Sequence, residues 1–177
     1  MRQTLRLHPD STCLAVTHIE VEVHRRRANT LAFSYILTGA ISDLALPSVV
    51  TATRTDELWR HTCFEAFLAR SSTAEYYEFN FAPSTQWAAY RFSGYRTDMR
   101  AVVESNTPQI TVESTSEHLI LRASLDLPAL LFRESTLRLG LSAVIEETSG
   151  RRSYWALAHP PGKPDFHHSD CFALELA

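Results

Sequence analysis

Apolar and polar residues alternate with a period of two over most of this chain. Thr17, Ile19, Val21 and Val23 fall on one side and His18, Glu20, Glu22 and His24 on the other, the pattern of a strand buried on one face only. After Arg25-Arg26-Arg27 the alternation resumes with Leu31, Phe33, Tyr35 and Leu37. The two runs therefore predict a hairpin, with the arginines in its solvated connection. Gly39 then lets the chain leave the sheet. Further strands are predicted over residues 63–69, 75–81, 86–92, 109–114, 118–124, 137–145, 153–158 and 171–176. Only Pro128-Ala129-Leu130-Leu131-Phe132 reads as helical, with Asp126 able to cap a turn opened by Leu127-Pro128. Residues 40–56 and 94–108 lack steady alternation and are expected to be long connections, which in compact folds often carry function. Many short strands with few helices predict an all-β chain, a single-domain antiparallel β-sandwich over residues 1–177.

Composition removes several classes of function. A length of 177 residues, 45% of them hydrophobic, is enough for one substantial core. A net charge of −3 and a pI near 6.2 argue against general nucleic-acid binding. The first residues hold no apolar run of the kind that directs export, and no window is long and apolar enough to span a membrane. A cytoplasmic location is therefore expected. Cys13, Cys63 and Cys171 are odd in number and widely spaced, which fits reduced thiols better than a disulfide framework. Neither Ser153 nor Ser169 sits in a G-x-S-x-G elbow, and the spacing of His159, His167, His168 and Asp170 matches no established metal-ligand signature. Neither a metal nor another cofactor is expected.

The candidate chemistry lies at residues 59–90, WRHTCFEAFLARSSTAEYYEFNFAPSTQWAAY. In the strand predicted at 75–81, Tyr77, Phe79 and Phe81 share one face, which leaves Tyr76, Glu78 and Asn80 aligned on the other. In the preceding strand Phe64, Ala66 and Leu68 take the apolar side and Cys63, Glu65 and Phe67 the opposite one. If the strands are neighbours, Glu65 and Glu78 come close, which needs a cation such as Arg60 or a hydrogen-bond donor between them. A four-residue loop at Ala82-Pro83-Ser84-Thr85 pairs Asn80 with Trp87 and puts that indole beside the acids. A one-residue slip sends Tyr90 there and Trp87 to the core, and the pattern admits both registers. Trp59 starts its strand among charged residues, where an aromatic ring suits a stacking surface. A second block at residues 154–167 adds Trp155, His159 and His167 on a loop stiffened by Pro160, Pro161 and Pro164. The histidines there are expected as neutral hydrogen-bonding groups at a pocket rim.

At WRHTCFEAFL, YYEFNFAPSTQWAAYRFSGYR and SYWALAHPPGKPDFHHSDCFALEL the chain resembles the bacterial DOMON-like proteins, which are similar to the family 9 carbohydrate-binding modules. The resemblance spans most of the chain. It implies an antiparallel β-sandwich of a kind shared by sugar-binding and haem-binding domains, and it specifies that fold more securely than a ligand. It marks Trp59, Glu65, Glu78, Asn80 and Trp87 as the matching face, with Trp155 and His159 nearby. Haem-binding relatives use methionine and histidine axial ligands, whereas only Met1 and Met99 exist here and neither lies in a ligand motif, so haem is not expected.

The expectation is a non-catalytic binding module for a small molecule, a sugar first, with no nucleic acid or membrane as partner. Its ligand-binding residues would be drawn from Trp59, Arg60, Glu65, Glu78, Asn80, Trp87, Tyr90, Trp155, His159 and His167. The competing classes are an enzyme acting on a sugar or related metabolite with Glu65 and Glu78 as acid and base, and a protein-interaction domain built on exposed aromatic residues.

Overall fold

The alternating run at the start of the chain becomes strand β2 (Val16–Arg27), whose inward residues Ile19, Val21 and Val23 are buried. It pairs antiparallel with β3 (Thr30–Gly39), Val21 opposite Tyr35. The three arginines end β2, with a bulge between Arg25 and Arg27, and so belong to the strand as much as to the connection. This computed structural model describes residues 1–27, 29–70, 73–102, 106–127, 131 and 136–176. Among them run twelve strands and three short 3-10 turns.

Two layers share one strand. The first half of β1 (Arg2–Leu7) pairs with β2, and the first layer continues through β3 to β9 (His118–Asp126) and β8 (Gln109–Ser114). The second half of β1, at Arg6 and Leu7, pairs with β11 (Arg152–Ala156). From β11 the second layer runs through β10 (Leu137–Glu146), β4 (Cys63–Arg70), β5 (Tyr76–Phe81), β6 (Trp87–Phe92) and the two-residue β7 (Arg100–Ala101). The short β12 (Leu174–Leu176) also pairs with β10, opposite Leu137 to Leu139. All named strands pair antiparallel, and the sheet curls onto itself as a sandwich.

The core lies between the layers. Phe33 of β3 meets Phe81 of β5 with ring centroids 6.1 Å apart, and Tyr35 meets Phe64 at 5.0 Å. The Tyr35 hydroxyl donates to the main-chain carbonyl of Glu65 at 2.7 Å, which satisfies a polar group that burial would otherwise leave stranded. Each such buried ring contributes on the order of 2 kcal/mol. Gly39 is needed where β3 ends, since a Cβ there would lie 2.0 Å from the Ala15 carbonyl oxygen.

Several elements differ from the alternation-based expectation. β1 and β7 carry too little alternation to stand out. The strand expected at 171–176 begins only at Leu174, because Ser169–Cys171 closes as a 3-10 turn with the Cys171 N–H donating to the His168 carbonyl at 2.9 Å. Of the helix expected at 128–132, all but Leu131 lies outside the described residues. Asp126 instead ends β9 and accepts from the Thr30 hydroxyl at 2.9 Å. Among the described residues no helix is long and apolar enough to cross a membrane.

The hairpin register comes out one residue away from the four-residue loop. Phe81 pairs with Trp87, Asn80 with Ala88 and Glu78 with Tyr90. Gln86 belongs to the loop: its carbonyl accepts from the Ala82 N–H, its amide donates to Thr55 at 2.8 Å, and Thr85 supplies the left-handed residue with φ 72°. The consequence is that Phe81, Trp87 and Ala89 all face the core, while Tyr90 joins the acids on the outer face.

Candidate functional site

The outer face of the second layer carries a cavity of about 490 Å³. Parity explains its floor. Glu65 of β4, Glu78 of β5 and Val144 of β10 project away from the core residues that alternate with them. Its walls come from Phe92 of β6, from Arg152 and Tyr154 of β11 and from three connections. The 3-10 turn Leu58–Arg60 gives Trp59 and Arg60, residues 93–99 give Arg96 and Met99, and residues 157–168 give Pro164, Phe166 and His167.

Glu65 is 2% exposed and Glu78 is 4% exposed. Glu65 is opposite Asn80 in the ladder, so the two carboxylates are diagonal neighbours on one face. The Ser142 hydroxyl donates to Glu65 Oε2 at 3.0 Å, and the Asn80 amide donates to Glu78 Oε1 at 2.7 Å. Burial raises the proton affinity of both carboxyls above the ordinary carboxylate range. For Glu65 the charge of Glu78 adds to burial, while Ser142 and Arg96 act in the opposite sense. The pair thus titrates as one coupled site in which losing the first proton hinders loss of the second.

His167 overlooks this pair. Its Nδ1 lies 2.8 Å from the Tyr76 hydroxyl, which itself accepts from the Arg96 N–H at 3.1 Å. All these groups are satisfied when Tyr76 donates to Nδ1, which places the imidazole hydrogen on Nε2, 3.8 Å from Glu78 Oε2. Burial first, and then the Arg96 charge, lower the His167 pKa to about 4, so the ring is neutral at physiological pH. Asp165 ties the two outer connections together. It accepts from the Tyr95 hydroxyl, from Arg96 Nη2 at 2.8 Å and from the His167 N–H at 3.1 Å. Burial alone would raise its pKa, but these hydrogen bonds and the Arg96 charge outweigh it and hold the carboxyl below its usual range.

Of the residues singled out in the sequence, Trp59, Arg60, Glu65, Glu78 and His167 line this cavity. Asn80 lies behind Glu78, accepting weakly from the Cys63 thiol. Tyr90 is on the same face beneath Trp59, their rings edge to face at 5.9 Å, and its hydroxyl donates to Asp56 at 2.6 Å.

Three expected wall residues lie elsewhere. Trp87 turns into the core, where the Arg54 guanidinium covers its ring at 5.5 Å. Trp155 also faces the core, with its indole N–H donating to the Ser153 hydroxyl at 3.1 Å. Once Trp155 points inward, alternation sends Tyr154 outward to the cavity wall. His159 is held away from the cavity, with Nε2 2.8 Å from the Arg6 carbonyl and its ring edge to face with His8 at 4.8 Å. The sequence reading missed Phe92, Arg96, Tyr154 and Phe166. Arg96 falls in a connection already marked for its length, and Tyr154 and Phe166 fall in the block at 154–167 already marked as a second part of the site. Among the described residues no three His, Cys, Asp or Glu side chains group as a metal site.

No protein-family model matches the sequence, and no curated protein matches it. Solved structures do resemble the fold. A candidate carbohydrate-binding protein from Bacteroides uniformis aligns with a TM-score of 0.68 at 11% identity, over 96% of this chain and 83% of that one. A family 9 carbohydrate-binding module from Caldicellulosiruptor kristjanssonii, in complex with cellotriose, aligns with a TM-score of 0.55 at 12% identity, over 92% of this chain and 74% of that one. The module in complex with glucose aligns with a TM-score of 0.50 at 11% identity, over 86% and 72%. At these identities the likeness is one of fold.

Proposed function

We propose that this protein is a DOMON-like, single-domain binding module that holds a small carbohydrate-type ligand in the outer-face cavity, without turning it over. The observation that carries this reading is the pair of buried carboxylates, Glu65 and Glu78, at the bottom of a cavity walled by Trp59, Tyr154 and Phe166. Aromatic faces cover the apolar side of a sugar ring, and carboxylate oxygens accept from its hydroxyls. The carbohydrate-binding names of the structurally similar proteins support the same reading. Three free cysteines, two of them buried, accord with a reducing compartment such as the cytoplasm.

A glycan array followed by calorimetry tests the reading. Trp59→Ala and Glu78→Gln should each weaken binding of the selected glycan about tenfold or more. Affinity retained in both variants would remove the assignment of this cavity.

The raised proton affinity of the carboxyl pair favours a second reading, an enzyme with one acid and one base. Turnover of the selected sugar that is lost in Glu65→Gln while binding persists would establish it.

A further inference from the structure

The two carboxylates of the cavity floor are only partly satisfied by the protein. Ser142 occupies one oxygen of Glu65 and Asn80 one oxygen of Glu78. Among the described residues no hydrogen bond reaches the second oxygen of either carboxylate, and the His167 Nε2 is 3.8 Å from that of Glu78, beyond hydrogen-bond range. These are two acceptors on largely buried side chains that line an open cavity.

The cations at the mouth are committed elsewhere. Arg96 is held by Asp165 at 2.8 Å, Arg60 is held by Glu57 at 2.7 Å, and Arg152 donates to the Arg60 carbonyl at 3.3 Å. His167 is neutral. The floor therefore holds a desolvated carboxyl pair whose raised proton affinity shows that Arg96 compensates its charge only in part, so the ionised form becomes favourable once a positive group with several N–H donors enters.

The walls make the same demand independently. Trp59, Phe92, Tyr154 and Phe166 surround the same space. The negative face of an aromatic ring attracts an organic ammonium, so aromatic rings and two carboxylates lining one cavity suit a cation attached to a carbon skeleton. Glu65 and Glu78 are diagonal neighbours, whose backbones stand roughly 7–8 Å apart. One ammonium group between them can donate to both.

We propose that the ligand is an amino sugar, with its protonated amine seated between Glu65 and Glu78 and its ring against Trp59 and Tyr154. This rests on the carbohydrate reading of the cavity and adds the chemical class of the sugar.

Titration calorimetry near neutral pH, comparing glucosamine with glucose and galactosamine with galactose, separates the two claims. In at least one pair the amino sugar should bind about tenfold tighter than its neutral counterpart, and N-acetylation should abolish the advantage. Glu65→Gln and Glu78→Gln, which preserve shape and the bonds from Ser142 and Asn80, should each bring the amino sugar down toward the neutral sugar. Equal affinity for amino and neutral sugars overturns this inference and leaves the carbohydrate site standing. An amino-sugar advantage that survives both substitutions also overturns it. Failure of every neutral and amino sugar to bind the wild-type protein overturns both. The wild-type comparison decides even if a variant does not fold.

Discussion

At the scale of the residue, Glu65 and Glu78 make the protein pH-sensitive in a direction opposite to most carboxylates. Each has a folded-state pKa above its ordinary 4.5, so the native state binds more protons than the unfolded chain as pH rises beyond that value. Stability from this source is full in acid and is lost as pH climbs through the folded-state values. His167 works against it. Its pKa is depressed from 6.5 to about 4, so its contribution is full above 6.5 and is lost as pH falls toward 4. The two effects separate by substitution. Glu65→Gln keeps the acceptor for Ser142 and removes only the charge, and it should stabilise the protein at pH 8 while changing little at pH 4.5. A tenfold change in proton affinity corresponds to about 1.4 kcal/mol, so the gain should be on the order of 2 kcal/mol. Urea melts of both proteins across that pH range check it, and an unchanged difference between pH 4.5 and pH 8 would contradict the coupled pair.

At the scale of the element, the strand faces could be read from the sequence and the hairpin register could not. The parity of β4 and β5 is fixed by Phe64, Ala66 and Leu68 on one strand and Tyr77, Phe79 and Phe81 on the other, because a slip of one would bury the acids in the core. β6 offers no such asymmetry. Trp87 and Ala89 are as apolar as Ala88, Tyr90 and Phe92, so alternation alone cannot orient it, and the decision falls to contacts distant in sequence: Gln86 with Thr55, and Arg54 over the Trp87 ring. Trp87 and Trp59 therefore differ in role. Trp87→Ala should cost about 3–5 kcal/mol of stability. Trp59→Ala, on a partly exposed turn, should cost under about 1.5 kcal/mol and act chiefly on ligand affinity. Urea melts paired with calorimetry distinguish them, and the reverse ranking would place Trp87 at the site.

The cavity's outer walls were the least legible part, because residues 93–99 and 157–168 have no periodicity and meet through Asp165 alone among the carboxylates. That bond set makes its own prediction. Asp165→Asn leaves an amide that can still accept from one neighbour but no longer pairs with the Arg96 charge. The two connections should then open more often, seen as faster hydrogen exchange in both segments, with ligand affinity lowered several-fold and the melting temperature lowered by only a few degrees. Unchanged exchange in 93–99 would show that the ion pair does not hold the wall.

At the scale of the whole molecule, β1 decides how the two layers cooperate. Its first four paired residues join β2 and its last two join β11, so neither layer can leave without breaking a ladder that the other uses. Tyr35 adds a hydrogen bond across the core to the backbone of Glu65, directly beneath the candidate site. Unfolding of the first layer therefore strips the floor of the cavity of its support. This predicts one calorimetric transition for residues 1–177, with the calorimetric and van't Hoff enthalpies equal. At about 0.7 kcal/mol per residue the enthalpy should be on the order of 120 kcal/mol near 60 °C. A saturating ligand should raise the transition without splitting it, by the equivalent of about 2.7 kcal/mol at a hundred times its dissociation constant. Gly39→Ala is the sharpest probe of the coupling. The added Cβ would meet the Ala15 carbonyl in the segment that follows β1, far in sequence from the cavity, yet it should lower the single transition by roughly 3 kcal/mol without leaving a separately melting remainder. Two resolved transitions in that variant would mean that the layers fold independently and that the site depends on the second layer alone.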